Sequence, residues 1–200
     1  MTLESIYYIG QTLAVIGILA SILMIWRQLK QGQKMERAAA QRDVLLRVSE
    51  WVRMVFQKDG DAYDIFVLGL QEYDTADALS RMHMDKCLSE FVFICESALN
   101  MRRDGFFSDG TWDGIDGTTI ALMRTPGGQQ WWDFAQHIFG SEICAHITQR
   151  LSEIDPDTPN YLDLVPTCRN RLKELADIAD AKAEKEVKRP SKEDSKDAEQ

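Results

Sequence analysis

The sequence predicts an all-α protein in which one N-terminal transmembrane helix continues into a cytosolic helical bundle, followed by a disordered C-terminal tail. Residues 6–26 form an apolar run without a formal charge. The segments after it repeat apolar residues at three- and four-residue intervals, as amphipathic helices do. No stretch alternates apolar and polar residues between turn signals, as a half-buried strand would. The predicted divisions are an extracytoplasmic N-terminus (1–5), a transmembrane helix (6–26), a juxtamembrane helix (27–57), a helical bundle (58–154), a turn with a weak C-terminal helix (155–187) and the tail (188–200).

The apolar run is long enough to cross a bilayer. About 21 residues at roughly 1.5 Å each match the roughly 30 Å hydrocarbon layer. Tyr7 and Tyr8 lie at one end of the run and Trp26 at the other. Amphipathic rings prefer the two headgroup levels, so the spacing of these aromatic residues also fits a single crossing.

The charges that flank the run predict its orientation. The leader MTLES is acidic, whereas Arg27, Lys30 and Lys34 follow the run. Cations near a span stay on the cytoplasmic side, and a cleaved signal peptide would carry its positive charge before the run. We therefore expect a single-pass protein of the cell inner (plasma) membrane with its N-terminus outside. Together with Arg37, these cations have two interpretations: a grip on anionic headgroups, or the ordinary flank of a span.

Small residues follow one face of the predicted span. They fall at helical spacing and are Gly10, Ala14, Gly17 and Ser21. Such stripes let two membrane helices approach closely. The stripe predicts a second copy or a partner span as its contact, although small residues are also common in membrane helices without such a role.

Composition excludes one class of partner and indicates the compartment. The net charge is −9, so a nucleic-acid role has no basic footprint. The four cysteines, Cys87, Cys95, Cys144 and Cys168, form no CxxC pair. Isolated thiols of this kind are typical of a reducing cytosol.

Capping and stop signals divide the cytosolic part into helices. The juxtamembrane helix is predicted to end at Lys58-Asp59-Gly60, and Asp61 to begin the next helix. Asp74 or Thr75 is predicted to cap a longer helix that stops at Asp104-Gly105. A weaker helix is predicted over Thr111 to Arg124, an N-cap followed by proline at Thr125-Pro126, a resumed helix over Ile143 to Ile154, and a final helix over Pro166 to Val187.

Adjacent tryptophans indicate a candidate partner surface. Trp131 and Trp132 diverge by about 100° on a helix, so we expect one in the core and the other at a boundary or docking position. With Phe139 they form the predicted partner surface, because aromatic residues dominate interface hot spots. The alternative is two half-buried aromatics of a small bundle.

Three candidate chemical sites are weak. Asp109, Asp113 and Asp116 form a cluster of carboxylates. Asp109, Thr111, Asp113 and Gly114 fit the first half of a calcium loop, but Ile120 occupies the position of its bidentate glutamate. The alternative is a glycine-loosened helix start whose acids favour the N-terminal end of the helix dipole. His83 and Cys87 share a helix face, yet His137, Cys144 or His146 would have to complete a zinc site. The segment TPGGQQWW lacks the residues of a phosphate loop, and its glycines are interpreted as a loose first helical turn. We expect no cofactor and no metal.

A basic junction with glutamines follows the predicted span, and a late segment carries a tryptophan, a Pro-Gly pair and a second tryptophan: Arg27-Gln28, Gln31, Gln33, Gly105 to Trp112, Pro126-Gly127 and Trp131. In these features the sequence resembles an uncharacterised bacterial family of single-span membrane proteins with a small helical cytosolic domain. The resemblance covers roughly residues 5 to 153. It implies topology and fold, and it brings no catalytic residues.

These observations predict a non-enzymatic, membrane-anchored interaction module. Its expected partners are the lipid bilayer and either a protein partner or a second copy of the chain, joined through the span. Two alternatives stay open. One is an accessory subunit of a larger membrane complex, and the other is an enzyme or metal protein with an unfamiliar site near Asp109–Asp116.

Overall fold

The computed structural model describes residues 3–56 and 61–187. Within these ranges all regular structure is helical and no strand is present, which confirms the all-α prediction. The helices are α1 (Leu3–Val55), α2 (Ala62–Gln71), α3 (Ala78–Arg103), α4 (Asp109–Met123), α5 (Pro126–Ala135), α6 (Ser141–Glu153), α7 (Tyr161–Leu164) and α8 (Pro166–Val187), with a 3-10 turn at Gln136–Ile138. The predicted stop at Lys58-Asp59-Gly60 and the predicted tail at 188–200 lie outside the described residues.

Helix α1 is one uninterrupted rod of 53 residues, about 80 Å long. Gly32 lies within it and does not break it. The predicted continuity between the apolar run and the bundle is therefore confirmed. The first half of α1 stands free of the bundle, and only its second half contributes to the core, through Val44, Trp51 and Val55.

Helix α3 packs antiparallel along the second half of α1. The Trp51 indole nitrogen donates to the Cys87 carbonyl at 2.7 Å, and Arg47 pairs with Glu90 at 3.2 Å. Arg37 lies over the Phe106 ring, which follows α3. This direction places the end of α3 on the side of the bundle nearest the apolar half of α1.

The N-cap of α3 differs from the prediction. Asp77, rather than Asp74 or Thr75, accepts from the Leu79 and Ser80 amides at 2.9 and 3.1 Å. The amide of Asp74 instead donates to the Gln130 side chain at 3.1 Å. A tertiary contact with α5 thus keeps the preceding residues in a turn and delays the helix by one turn.

The predicted stop after α3 is confirmed. Gly105 has φ +74°, a conformation that glycine adopts without steric cost. The Gly105 amide donates to the Arg102 carbonyl at 3.0 Å and the Phe106 amide to the Met101 carbonyl at 2.8 Å. These bonds satisfy carbonyls that the last turn of a helix leaves open.

Helix α5 begins as predicted, with Thr125 accepting from the Gly128 amide at 3.0 Å and Pro126 in the first turn. Its two glycines do more than loosen that turn. A Cβ on Gly127 would lie 1.8 Å from the Gly69 carbonyl oxygen of α2. A Cβ on Gly128 would lie 2.1 Å from the Leu122 carbonyl oxygen of α4. The glycines therefore allow α5 to touch the backbone of its neighbours.

Residues 155–187, predicted as a turn and a weak C-terminal helix, also contact the core. Asn160 and Asp163 form a capping box at the start of α7, and Tyr161, Leu162 and Cys168 are buried. Arg171 of α8 makes a two-bond pair with Asp64 of α2 at 2.7 and 2.8 Å. This pair fastens α8 to the bundle.

Asp64→Asn is expected to lower the free energy of unfolding near pH 7 by about 1 kcal/mol, the upper range for a solvent-screened pair. Hydrogen bonding to Arg171 lowers the pKa of the Asp64 carboxyl below its ordinary value. The pair therefore stabilises the fold at pH values above about 4, the pKa of this carboxyl in the unfolded chain. The stabilisation is lost as the pH falls through the lower pKa that the carboxyl has in the folded chain. Urea denaturation of both forms at neutral and acidic pH tests this, and a difference that persists in acid would contradict it.

Candidate functional site

The first half of α1 is the most unusual surface of the molecule. By length and composition, α1 is the one helix in the described ranges able to cross a membrane, with an 18-residue window of mean hydropathy 2.0 that is 0% buried in the bundle. Its large apolar side chains, such as Leu19 and Ile22, are more than half exposed. Contiguous apolar surface on this scale marks a membrane or partner contact.

The predicted interface residues lie at the two ends of this apolar segment. Tyr7 and Tyr8 pack edge to face with ring centroids 5.8 Å apart, and both are exposed. At the other end, the Lys30 amine lies 4.7 Å from the centre of the Trp26 ring. An aromatic residue and a cation thus stand together where the apolar segment ends.

The small-residue stripe has no partner among the described residues. A Cβ on Gly10 or Gly17 would meet nothing within 4 Å. The Ser21 hydroxyl donates to the Gly17 carbonyl at 2.8 Å, so its polarity is satisfied within the helix. The stripe is therefore a flat face that could enter hydrocarbon or contact another helix.

This face points away from the bundle. At about 100° per residue, Gly10 and Gly17 lie on roughly the opposite side of α1 from Val44 and Trp51, which are buried. The outward side continues below the apolar segment through Met35, 67% exposed, and Leu46, 52% exposed. One side of the rod thus carries the bundle, and the other is open along most of its length.

The tryptophan pair is located differently from the prediction. Trp131 is 1% and Trp132 5% exposed, and the half-buried Phe139 ring stacks on Trp132 with centroids 5.8 Å apart. Both indoles are covered because α5 lies between α2 and α4. The second tryptophan, which the sequence predicted at a boundary or docking position, therefore belongs to the core. Phe134 is the outward aromatic residue of α5.

The three candidate carboxylates do not converge. They lie on helix α4 instead of a loop. Asp109 pairs with Arg102 at 3.2 Å, and Asp113 faces solvent. Asp116 is buried and accepts from His146 at 2.6 Å and from Arg150 at 3.0 Å. Asp116 therefore joins α4 to α6.

The candidate zinc ligands do not assemble either. The His83 ring and the Cys87 thiol lie 3.5 Å apart, but no group of three or more ligand side chains occurs within residues 3–56 and 61–187. Burial raises the pKa of the Cys87 thiol to about 12 and lowers the pKa of His83. Both groups are therefore neutral near pH 7, as core and boundary residues.

Among the concave regions of the described part of the bundle, two adjoin α4. A cavity of about 660 Å³ lies between α5, α6 and the turn before α7, and Arg124 at its wall is bound to the carbonyls of Asp155 and Pro156. A groove of about 450 Å³ between α1 and α4 is lined by apolar side chains and by Gly110 and Gly114. Within the described residues, no buried side-chain polar atom lacks a partner, so neither region is marked by an unsatisfied buried side chain.

A partly buried polar centre was not predicted from the sequence. The Asp85 carboxylate accepts from the Tyr73 hydroxyl at 2.6 Å and from the Trp131 indole at 3.1 Å. Burial, together with the hydrogen bond to Asp85, raises the pKa of Tyr73 well above its ordinary range. The one available signal was an acid within the apolar pattern of α3, and such a pattern does not identify its partners.

No protein-family model, curated protein or solved structure matches this chain. The resemblance to bacterial single-span proteins therefore stays a prediction.

Proposed function

We propose that this chain is a single-pass inner-membrane protein, with its N-terminus outside and its bundle in the cytoplasm, that acts as a non-enzymatic interaction module. The observation that supports this most is the apolar half of α1, which is long enough to span and unburied by the bundle. Because α1 continues unbroken into the core, the bundle is held rigidly beside the bilayer.

The favoured partner is a second copy that pairs through the outward side of α1. Gly10 and Gly17 offer close approach of two backbones in lipid. Met35 and Leu46 continue the same side into water, where exposed apolar residues gain from burial. Since the bundle occupies the other side, two copies can pair along α1 without a clash between their bundles.

A non-enzymatic role agrees with the arrangement of the polar groups. Asp116 is occupied by His146 and Arg150, and Cys87 and Cys95 are buried thiols whose pKa values burial raises to about 12. A nucleophile of this kind is not activated, because the reactive thiolate is scarce near pH 7.

Gly17→Leu is expected to reduce self-association of the full chain in lipid nanodiscs or detergent, because the leucine holds two helices apart. Thr12→Leu is the matched control, since Thr12 lies on roughly the opposite side of α1. We expect cross-linked dimer for the wild type and for Thr12→Leu, and mainly monomer for Gly17→Leu. A dimer that persists in Gly17→Leu, or a wild type that is monomeric throughout, would contradict pairing through the stripe.

A further inference from the structure

We propose that Arg27, Lys30 and Lys34 form a binding site for the phosphate groups of anionic phospholipids, placed between the bilayer surface and the end of the bundle. This inference rests on the proposed membrane location. It goes further because it assigns these cations a lipid class, beyond the orientation signal that any basic flank provides. We call the three residues the basic collar.

The side of α1 that carries the collar is fixed by contacts one or two turns below it. Arg37 lies over Phe106, and Gln41 donates to the Thr111 hydroxyl at 2.7 Å. Lys30 and Lys34 each precede one of these residues by seven positions, so they lie on nearly the same faces. The collar therefore points toward the side on which the bundle lies, away from the small-residue stripe.

The collar lies on the stretch of α1 between the expected headgroup level and the bundle. From Trp26 to Arg37 the helix rises about 16 Å, and the bundle begins at the level of Arg37 through its contact with Phe106. The collar side chains and Gln31, all on α1, border an open concavity of about 210 Å³ at this level. Lys30 also packs on the Trp26 ring, which ties the collar to the residue expected at the headgroup level.

Charge supports an anionic lipid as the occupant. In the described part of the chain, none of the three collar cations pairs with a carboxylate, whereas Arg102 and Arg103 at the neighbouring end of α3 pair with Asp109 and Glu142. The whole chain has a net charge of −9, so an anionic leaflet repels the body and attracts the collar. Each cation near such a surface contributes about a fivefold preference.

The test compares full-length protein in vesicles of phosphatidylcholine with protein in an equimolar mixture of phosphatidylcholine and phosphatidylglycerol. Spin-labelled analogues of both lipids report which is immobilised at the protein. We expect wild type to prefer phosphatidylglycerol at least about fivefold. Lys30→Gln with Lys34→Gln should abolish most of this preference. Lys173→Gln with Lys182→Gln, the same charge change on exposed positions of α8, should leave it unchanged.

Four results would overturn the proposal. Equal immobilisation of both lipids by the wild type would refute the collar as a lipid site while leaving the membrane anchor in place. An equal loss in the α8 control would show that overall charge, and not the collar, sets the preference. Failure of the chain to enter either vesicle would refute both the collar and the proposed function. Binding of inorganic phosphate in detergent, without a preference between the bilayers, would assign the cations to a soluble anion instead.

Discussion

Gly127→Ala is expected to lower the free energy of unfolding of the bundle by about 3 kcal/mol, at or above the upper end for overpacked cores. The new Cβ would lie 1.8 Å from the Gly69 carbonyl oxygen and 2.9 Å from its carbonyl carbon. Both are backbone atoms, so a side-chain rotation cannot relieve the contact, and α5 must move away from α2. Chemical denaturation followed by tryptophan fluorescence measures the change, because Trp131 and Trp132 lie on the displaced helix.

Gly114→Ala is the matched control for this change. Gly114 lies within α4, and its Cβ would meet nothing within 4 Å. Alanine at an exposed helical position is expected to be neutral or to stabilise by up to about 1 kcal/mol. If both variants shift the denaturation midpoint equally, the close approach of α5 to α2 is refuted.

Asp116→Ala is expected to cost about 2–3 kcal/mol, at or just below the lower end of the range of about 3–5 kcal/mol for breaking a buried ion pair. The substitution leaves His146 and Arg150 without their acceptor between α4 and α6. The Arg150 side chain is 37% exposed and can turn toward water, which is why the larger values of that range do not apply. Loss of α6 packing should also release Ile143 and Ile147 from the core.

Asp113→Ala is the control for this prediction, because it removes an acidic residue of α4 that forms no ion pair with α6 in the described part of the chain. Asp113 is exposed, and surface substitutions of this kind usually change stability by about 0.5 kcal/mol or less. Guanidinium denaturation of the two variants therefore should give clearly different midpoints. Similar midpoints would mean that the Asp116 contacts contribute little to the fold.

Most helix boundaries could be predicted because local chemistry sets them. Thr125-Pro126 specifies an N-cap and a first helical residue without help from the rest of the chain. Asp104-Gly105 likewise specifies a stop through a backbone angle that favours glycine. The start of α3 was misplaced because Gln130, distant in sequence, binds the turn before it.

The interior of the bundle was less predictable because it depends on tertiary neighbours. The spacing of apolar residues predicts that one face of α5 is buried. It does not predict that Trp132 joins Trp131 in the core. From its neighbours in sequence, Gly127 is interpreted as part of a loose helical turn. Only the position of α2 shows that there is no room for a Cβ at this residue. The sequence grouped Asp116 with two other acids as a candidate site, and only the position of α6 shows that His146 and Arg150 bind it.

The candidate membrane site was the most predictable part, since it lies on a single helix. The apolar run, the stripe and the collar follow from residue order alone. Their relation to the bundle required the contacts of Arg37 and Gln41. These contacts show that stripe and collar lie on different sides of α1.

Extraction of native membranes with alkaline carbonate is the sharpest test of the proposed transmembrane span. A helix that crosses the bilayer stays with the lipid after this treatment, whereas a peripheral protein held by charge or by docking is released. We predict that the full-length chain remains in the membrane pellet and floats with lipid in a density gradient. Recovery of the intact chain in the soluble fraction would contradict the proposed span, and with it the pairing through the stripe and the lipid site at the collar.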